Sequence, residues 1–314
     1  MFEVHHQLQT YCQYCRVFKG NTERSADTAR REIGAFLKFT DIQHVQQITR
    51  PQLETYLMYG KLERQWGAKT IRNRIIAVRL FLDWCQQQGW IDDNPARGLP
   101  MPKLPKRLPR HLPKDDALKL LEWTRYYRYP YHFERSRAVA IMALFMFTGL
   151  RLRELQNLSR DDINIDERRV FVRSGKGDKD RPVPMNHDLA VCLQDYLDDR
   201  DRRKRHCPSF FVSLKKDKPM GPQAVPRLVK KLREASGIYF CPHMLRHTFA
   251  TLMLEGGADI FAISKMMGHS DIKTTTIYLS ATTKHLEAEV AKHPLGKSPT
   301  QPYNSGAFSN GYMS

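Results

Sequence analysis

The 314-residue chain is long enough to form two domains, since a single hydrophobic core stops growing at about 250 to 300 residues. Hydrophobic residues make up 41% and charged residues 27% of it, a composition that is typical of globular proteins and excludes a disordered one. Lys and Arg number 51 against 33 Asp and Glu, giving a formal net charge of +18. A polyanionic partner such as nucleic acid is the leading explanation of this excess, and a basic solvated surface is the alternative.

Signals for a membrane or a metal are weak in this sequence. No run of about 18 apolar residues occurs and the N-terminal segment lacks the layout of a signal peptide, so we expect a cytoplasmic protein with no membrane partner. The six cysteines have no regular spacing, which favours free thiols over disulfides. Cys12 and Cys15 form a C-x-x-C pair, but a zinc site needs four ligands and no convincing second pair follows. We therefore predict buried thiols and no metal.

The first hundred residues have apolar side chains at three- and four-residue spacing, which predicts four or five short helices and no strand. The pattern is clearest over residues 26–39 and 70–84. Basic side chains lie on the polar face of the second of these helices, at Arg72, Arg74 and Arg79. Contact with a phosphate backbone and simple solvation are equally consistent with that pattern, so the three arginines are candidate nucleic-acid contacts.

Residues 94–113 form a segment in which prolines recur every few residues and basic residues fill the gaps. Proline removes backbone donors and stiffens the chain, so we predict a semi-rigid linker able to lie along a phosphate backbone. Lys103, Lys106 and Arg107 are its candidate contacts. The predicted division is a helical domain at 1–96, the linker at 97–113, a second domain at 114–295 and a disordered tail at 296–314.

The second half begins with an apolar helix at residues 138–147 that Gly149 would end in a left-handed conformation. Alternating apolar residues on both sides of a glycine- and lysine-rich tip predict a β-hairpin over residues 168–185. Further segments with helical spacing lie at residues 188–201, 223–235, 243–255, 259–267, 271–279 and 283–292. The predicted fold class is therefore mainly α, with a helical N-terminal domain and an α+β domain that contains a small antiparallel sheet.

A metal-free reaction at a phosphodiester needs cations at the phosphate oxygens, an activated nucleophile and an acid for the leaving oxygen. Arg, His, Lys and Tyr side chains can supply those functions. The second half contains them in order: Arg151 and Glu154 in TGLRLREL, Lys176 at the hairpin tip, His243 and Arg246 in HMLRH, His269 after a glycine, and Tyr278. Each residue alone is more often structural, so it is the ordered set that indicates a site.

The set TGLRxxEL, GKGxKxRxVP, HxLRHTFAT, MGH and TTxxY resembles the tyrosine recombinase, or phage integrase, family over residues 113–294. The helical first half and the basic linker resemble that family's core-binding domain. In size the chain is similar to Xer-type enzymes and small mobile-element integrases, and no arm-type DNA-binding domain is expected. The resemblance implies a site-specific recombinase that cuts and rejoins DNA through a 3′-phosphotyrosyl intermediate, in integration, excision or dimer resolution.

The resemblance further implies that Arg151 and Arg246 hold the scissile phosphate with their planar guanidinium groups. Tyr278 would attack the phosphorus and release a 5′-hydroxyl. Because the phosphotyrosyl bond conserves the energy of the broken bond, no metal, ATP or other cofactor is expected. The family often continues Tyr-x-His, whereas Ser280 stands at that position here.

Lys176 would be the general acid that protonates the 5′-oxygen. Lys179 and Arg181 lie close enough in sequence to compete for this role, and contact with the DNA backbone is their alternative function. His243 would be an acid–base partner and phosphate ligand, and His269 would donate a hydrogen bond to a phosphate oxygen.

Glu154 would orient His243 or Arg246 without touching DNA. Two other residues of the motifs, Arg153 and His247, are left outside the predicted site. His247 is excluded because the second histidine of HxLRH is commonly a packing residue in this family.

Strand exchange joins two sites, so the resemblance implies a homotetramer on double-stranded DNA with specific recombination sites, and a nucleoid-associated location. The helix at residues 283–292 would pack on a neighbouring subunit or, equally, on its own. A type IB topoisomerase-like enzyme and a non-catalytic DNA-binding protein are the alternative functions. The sequence identifies neither the target DNA nor any accessory protein.

Overall fold

The computed structural model describes residues 3–20, 22–105, 109–173, 180–269 and 272–278. The chain divides into two compact units, Met1–Lys106 and Arg107–Ser314. The predicted fold class is confirmed, because helices dominate both units and the second unit contains a small antiparallel sheet. Among the described residues, no helix combines the length and the apolar character needed to cross a membrane.

The described part of the N-terminal unit contains four α-helices, α1 (Val4–Val17), α2 (Glu23–Thr40), α3 (Arg50–Leu62) and α4 (Ala68–Gln87). Each buries an apolar stripe, as the sequence spacing predicts; in α4 the stripe includes Ile71, Ile75 and Val78. Helix α2 begins three residues before its predicted start because the hydroxyl of Thr22 accepts a hydrogen bond from the backbone N–H of Ser25.

The cysteine pair and the linker both contribute to cores. Cys12 and Cys15 lie on the buried side of α1, where the thiol of Cys12 points to the carbonyl oxygen of Ala26. Leu99 is buried in the core of the N-terminal unit and Leu112 in the core of the C-terminal unit. The predicted linker of residues 97–113 is therefore anchored near both ends, and the part that can act as a spacer is shorter than the sequence suggests.

The C-terminal unit is built around α6 (His132–Thr148), most of whose side chains are buried. Three helices pack against it, α5 (Lys114–Tyr126), α8 (His187–Arg202) and α10 (Pro242–Glu255). Four more complete the described helices of this unit, α7 (Leu152–Asn157), α9 (Ala224–Ser236), α11 (Ile260–Met267) and α12 (Lys273–Thr276).

Two of these helices differ from the sequence-based expectation. Helix α5 was not predicted, since it buries only three of its 13 residues and its apolar pattern is correspondingly sparse. Helix α12 is a single turn in place of the helix expected at 271–279, and its run of threonines has low helix propensity. The expected helix at 283–292 and the tail lie outside the described residues.

The sheet has the strand order β1 (Ile163–Asn164), β2 (Arg169–Val172) and β3 (Arg181–Pro184), and all pairs are antiparallel. Strands β2 and β3 form the predicted hairpin, with Val170 opposite Val183 on the buried face. Strand β1 was not predicted, because two residues are too few to show an alternating pattern. The hairpin tip at 174–179, which includes Lys176 and Lys179, lies outside the described residues.

Gly149 ends α6 in the predicted left-handed conformation, with φ of 62°. A Cβ added there would lie 2.4 Å from the Cδ1 atom of Phe249 on α10, so the position requires glycine for its backbone and for its packing. Gly237, at the end of α9, has a similar φ of 71°, but a Cβ there would meet nothing within 4 Å.

We therefore expect Gly149→Ala to lower the free energy of unfolding by about 3 kcal/mol, from backbone strain plus overpacking. Gly237→Ala is the matched control and should cost about 1 kcal/mol, from the backbone alone. Urea denaturation of both variants measures the difference. Equal losses would show that contact with Phe249 adds nothing to the requirement for glycine.

Candidate active site

The predicted site residues come from separate elements of the C-terminal unit. Arg151 is the N-terminal cap of α7, and His243 and Arg246 lie on α10. His269 follows the end of α11, and Tyr278 follows the single turn of α12. Lys176, the predicted general acid, lies outside the described residues.

Three arginine side chains converge on the C-terminal end of α11. They donate to the main-chain carbonyl oxygens of successive residues 266–268: Arg181 to the first at 2.7 Å, Arg246 to the second at 2.6 Å and Arg151 to the third at 3.3 Å. The end of a helix carries a partial negative charge, so it stabilises cations there. The two predicted phosphate-binding arginines, Arg151 and Arg246, are thus brought together in the folded chain.

Arg246 is the more deeply buried of these two. Only 3% of it is exposed, and its guanidinium also donates to the carbonyl oxygen of Gly149 at 2.7 Å. Burial, reinforced by the neighbouring charge of Arg151, lowers the pKa of Arg246 to about 10. The group therefore stays charged at neutral pH in a place that disfavours its charge, and an anion bound between the two arginines would relieve that cost.

Glu154 balances part of this positive charge. Its carboxylate accepts from the main-chain N–H of Arg151 at 2.8 Å and from its guanidinium at 2.6 Å, and two N–H groups of Arg181 donate to it at 3.1 and 2.9 Å. Burial alone would raise its pKa, but the hydrogen bonds from Arg181 and Arg151 outweigh burial and lower the pKa of Glu154 to about 2. The predicted partners of Glu154 were His243 or Arg246; the hydrogen bonds of its carboxylate go to Arg151 and Arg181, and its charge acts on Arg246 without a hydrogen bond.

Arg181 was predicted to contact DNA or to compete for the general-acid role, and its surroundings in the structure favour neither. Its side chain is buried, with the residue only 8% exposed, and its donors are committed to Glu154 and to the end of α11. A buried guanidinium in a bidentate pair with a carboxylate is a structural ion pair. Gly268 lies against it, since a Cβ at that glycine would be 2.8 Å from a guanidinium nitrogen of Arg181.

The predicted DNA contacts of the N-terminal unit have internal partners. Arg72 and Arg79 donate to main-chain carbonyl oxygens of residues 96–102 at 3.2 to 3.4 Å, and thereby hold the start of the linker on α4. The guanidinium of Arg74 stacks 3.8 Å from the ring centre of Trp66. Contact between these arginines and DNA stays a prediction. So does contact through exposed Lys103; Lys106 and Arg107 lie outside the described residues.

Tyr278 is held in a small apolar cluster between α10 and α11. Only 2% of the residue is exposed, and it packs with Phe249, Leu254, Ile263 and Met267. Burial raises the pKa of Tyr278 to about 12, even though the nearby charge of Arg246 acts in the opposite direction. The phenol is therefore fully protonated at neutral pH, and using it as a nucleophile requires a group that takes its proton.

His247 is the residue that the sequence reasoning missed. Its Nδ1 atom lies 2.6 Å from the Oη atom of Tyr278, and its Nε2 atom lies 3.0 Å from the Nε2 atom of His243. The sequence HMLRH already indicates this contact, because His243 and His247 are four residues apart, share a helical face and can bring their imidazoles together. The family resemblance, which assigns packing to this position, concealed it.

His269 is oriented by the short turn that precedes Tyr278. Its Nδ1 atom lies 2.7 Å from the hydroxyl oxygen of the buried Thr275, and its main-chain N–H donates to the carbonyl oxygen of Ser264 on α11. The histidine is therefore fixed at the end of α11, the same end that the three arginines bind.

Residues 110–285 match the phage integrase family. The tyrosine recombinase XerC of Pseudomonas fluorescens is 32% identical over 295 residues, covering 93% of this chain and 97% of that protein. The tyrosine recombinase XerA of Pyrococcus horikoshii is 37% identical over 228 residues, covering 72% and 75%. The chain belongs to the phage integrase family of site-specific tyrosine recombinases.

Solved structures share the fold. A crystal structure of XerA recombinase aligns with a TM-score of 0.52 at 28% identity, covering 92% of this chain and 98% of that one. XerH site-specific recombinase bound to palindromic difH substrate aligns with a TM-score of 0.70 at 20% identity, covering 92% and 84%. The second likeness concerns the fold alone.

The buried role of Arg181 can be tested by removing its charge. We expect Arg181→Gln to lower the free energy of unfolding by about 3 kcal/mol, because it leaves a buried carboxylate with one fewer partner. Arg169→Gln, on the neighbouring strand, is the matched control; Arg169 is exposed and pairs with Glu167 at 3.6 Å, so its loss should cost under about 1 kcal/mol. Urea denaturation without DNA gives both values. A stable Arg181→Gln that only binds DNA more weakly would restore the DNA-contact role.

Proposed function

We propose that this recombinase cuts and rejoins double-stranded DNA at specific recombination sites, with Tyr278 as the nucleophile. The observation that carries the proposal is the position of its phenol. Tyr278 hydrogen-bonds to His247 on α10, the helix that also presents His243 and Arg246. Arg246 in turn shares the end of α11 with Arg151. A nucleophile and two phosphate-binding cations on one small framework suit phosphoryl transfer.

The scissile phosphate would bind to Arg151 and Arg246. Both guanidinium groups donate to main-chain carbonyl oxygens, which are weaker acceptors than a phosphate oxygen, and that of Arg151 also donates to the Glu154 carboxylate. A phosphate diester would supply the negative charge that the site lacks, since Glu154 accepts hydrogen bonds from Arg151 and Arg181 only, and in the described part of the chain no second carboxylate is hydrogen-bonded to any of the three arginines. His243 and His269 would contact the same phosphate.

Lys176 would protonate the departing 5′-oxygen. This assignment rests on the family resemblance, and the strand that follows the tip supports it. Strand β3 begins at Arg181, which is tied to Glu154 and to the end of α11, so the first residue of the strand lies beside the proposed site. Lys179, on the same tip, is then a candidate contact to the DNA backbone.

The assembly on DNA is a further part of the proposal. Exchange between two duplexes requires four strand cleavages, so four copies of Tyr278 would act in a homotetramer bound to two sites. The net charge of +18 supports binding to a polyanion, and the structurally similar XerH recombinase is bound to its difH substrate. Such a protein would act in the cytoplasm, at the nucleoid. The particular sites and any accessory proteins are to be found by experiment.

The nucleophile is tested with a nicked suicide duplex carrying a site selected from random-sequence DNA by the purified protein. The wild-type chain should become covalently attached to the 3′ end of the cut strand. Tyr278→Phe should form no adduct and still bind DNA, because it loses only the hydroxyl. Tyr239→Phe is the matched control at an exposed tyrosine of the same unit and should react like the wild type. An adduct formed by Tyr278→Phe would disprove the assignment.

Recombination is separated from DNA relaxation by a supercoiled plasmid that bears two copies of the selected site. We expect deletion or inversion products, detected by restriction analysis, and we expect none with one copy. A type IB topoisomerase-like enzyme would relax both plasmids without forming recombinant junctions. Relaxation alone, with covalent chemistry intact, would therefore contradict the recombinase assignment and leave the nucleophile unchanged.

A further inference from the structure

We propose that His247 is a catalytic residue that takes the proton of Tyr278 as the phenol attacks the phosphate, and passes a proton on to His243. This inference rests on the proposed function and extends it, because it assigns the activation of the nucleophile. The sequence motifs single out His243, Arg246 and Tyr278, and they leave His247 as a packing residue.

The contact between His247 and Tyr278 has the geometry of a short hydrogen bond. The two atoms, Nδ1 and Oη, are 2.6 Å apart, at the short end of the range for such bonds. The rings are inclined at 53° with centres 5.5 Å apart, so they do not stack and the nitrogen is directed at the hydroxyl. A side chain that served only to fill space would need no such alignment.

The second nitrogen of His247 continues the chain of hydrogen bonds to His243. The two Nε2 atoms are 3.0 Å apart, so one must carry a proton and the other must accept it. If Tyr278 donates to Nδ1 of His247, then Nε2 of His247 carries the proton and donates to His243. In that tautomer the hydrogen bonds run from the phenol to His247 and on to His243, and the protons of these two bonds are directed away from the oxygen of Tyr278.

The surroundings of His247 keep it unprotonated. Burial, with further contributions from His243, Arg246, His269 and His111, lowers the pKa of His247 to about 4. These groups face it from its own helix, from the end of α11 and from the segment before α5. A neutral imidazole can accept a proton, and a protonated one cannot, so the depressed pKa favours the accepting form at neutral pH.

A base of such low pKa cannot hold the proton of a free phenol. The transfer becomes favourable only as the bond to phosphorus forms, because the phenolic oxygen then loses its affinity for the proton. The bound phosphate also neutralises part of the positive charge of Arg246, which raises the pKa of His247. Deprotonation is thereby linked to the presence of substrate.

The step balances in atoms and charge. The O–H bond of Tyr278 breaks and its proton goes to Nδ1 of His247, while the Oη atom bonds to phosphorus. The P–O5′ bond breaks and its electron pair leaves on the 5′-oxygen, which takes a proton from the general acid, proposed above to be Lys176. His247 releases its Nε2 proton to His243. In the rejoining reaction the same protons travel back.

Two substitutions of His247 distinguish a role as the base from a role in positioning Tyr278. In His247→Asn, the amide reaches about as far as Nδ1 and can still hydrogen-bond to Tyr278, but it cannot take a proton. In His247→Ala, both functions are lost. Adduct formation on the selected suicide duplex is measured in single turnovers from pH 6 to 9, after DNA affinity and thermal unfolding have shown that each variant is folded.

We expect both variants to form the adduct on the order of 10²-fold more slowly than the wild type at pH 7. Their rates should rise about tenfold per pH unit, because attack then depends on the small fraction of phenolate, whereas the wild-type rate should show no such dependence above pH 7. If His247→Ala does not fold, the pH dependence of the His247→Asn rate is by itself sufficient to test whether His247 acts as the base. A wild-type rate for His247→Asn would overturn the proposal and leave a positioning role.

A substrate with sulfur in place of the 5′-bridging oxygen separates this role from leaving-group protonation. A thiolate leaves without a proton, so the substrate should rescue Lys176→Ala and should not rescue His247→Asn. Rescue of His247→Asn would place His247 at the leaving group and disprove the inference. His132→Asn is the matched control. His132 lies at the start of α6 and hydrogen-bonds to Asp199 on α8, so the variant should react like the wild type. If the wild type forms no adduct, the proposed function itself fails, which is a separate result.

Discussion

The cluster of three arginines and one glutamate at the end of α11 is the interaction on which the rest of the site depends. Arg151, Arg181 and Arg246 bring three positive charges into a place with little solvent, and Glu154 with the last carbonyl groups of the helix compensates only part of them. The cluster holds α11 against α7, α10 and β3. It also leaves an excess of positive charge that a phosphate would neutralise, so under the proposed function one arrangement would serve both folding and binding.

In the proposed reaction, this arrangement would couple the bound phosphate to the nucleophile. The end of α11 carries His269 and leads through the turn of α12 to Tyr278, whose ring packs on α10 and α11. If a guanidinium group exchanged a main-chain carbonyl oxygen for a phosphate oxygen, it would lose its hydrogen bond to that same helix end. The burial that raises the pKa of Tyr278 keeps the phenol unreactive by itself. In the proposed reaction, attack would then require both a bound phosphate and a nearby base.

Sequence reasoning predicted what depends on local patterns. Periodic apolar residues indicated α4 and α6, and a glycine that must adopt a positive φ indicated the end of α6 at Gly149. The spacing of the motifs placed Arg246 and His243 on one helix. Prediction failed where the local pattern is weak, because α5 buries few side chains and β1 is two residues long. In those segments tertiary packing, more than local sequence, selects the structure.

Sequence reasoning could not predict the partners of the charged residues. Arg181 lies in a basic segment next to a lysine-rich tip, and nothing local distinguishes it from a DNA contact; its partner Glu154 is 27 positions away. What decides between the two roles is desolvation, since a guanidinium that loses its water must gain hydrogen-bond acceptors within the protein. The same holds for His247. Its neighbour in space is a tyrosine 31 positions later, and only the fold shows that its imidazole meets a hydroxyl where a packing residue would meet carbon.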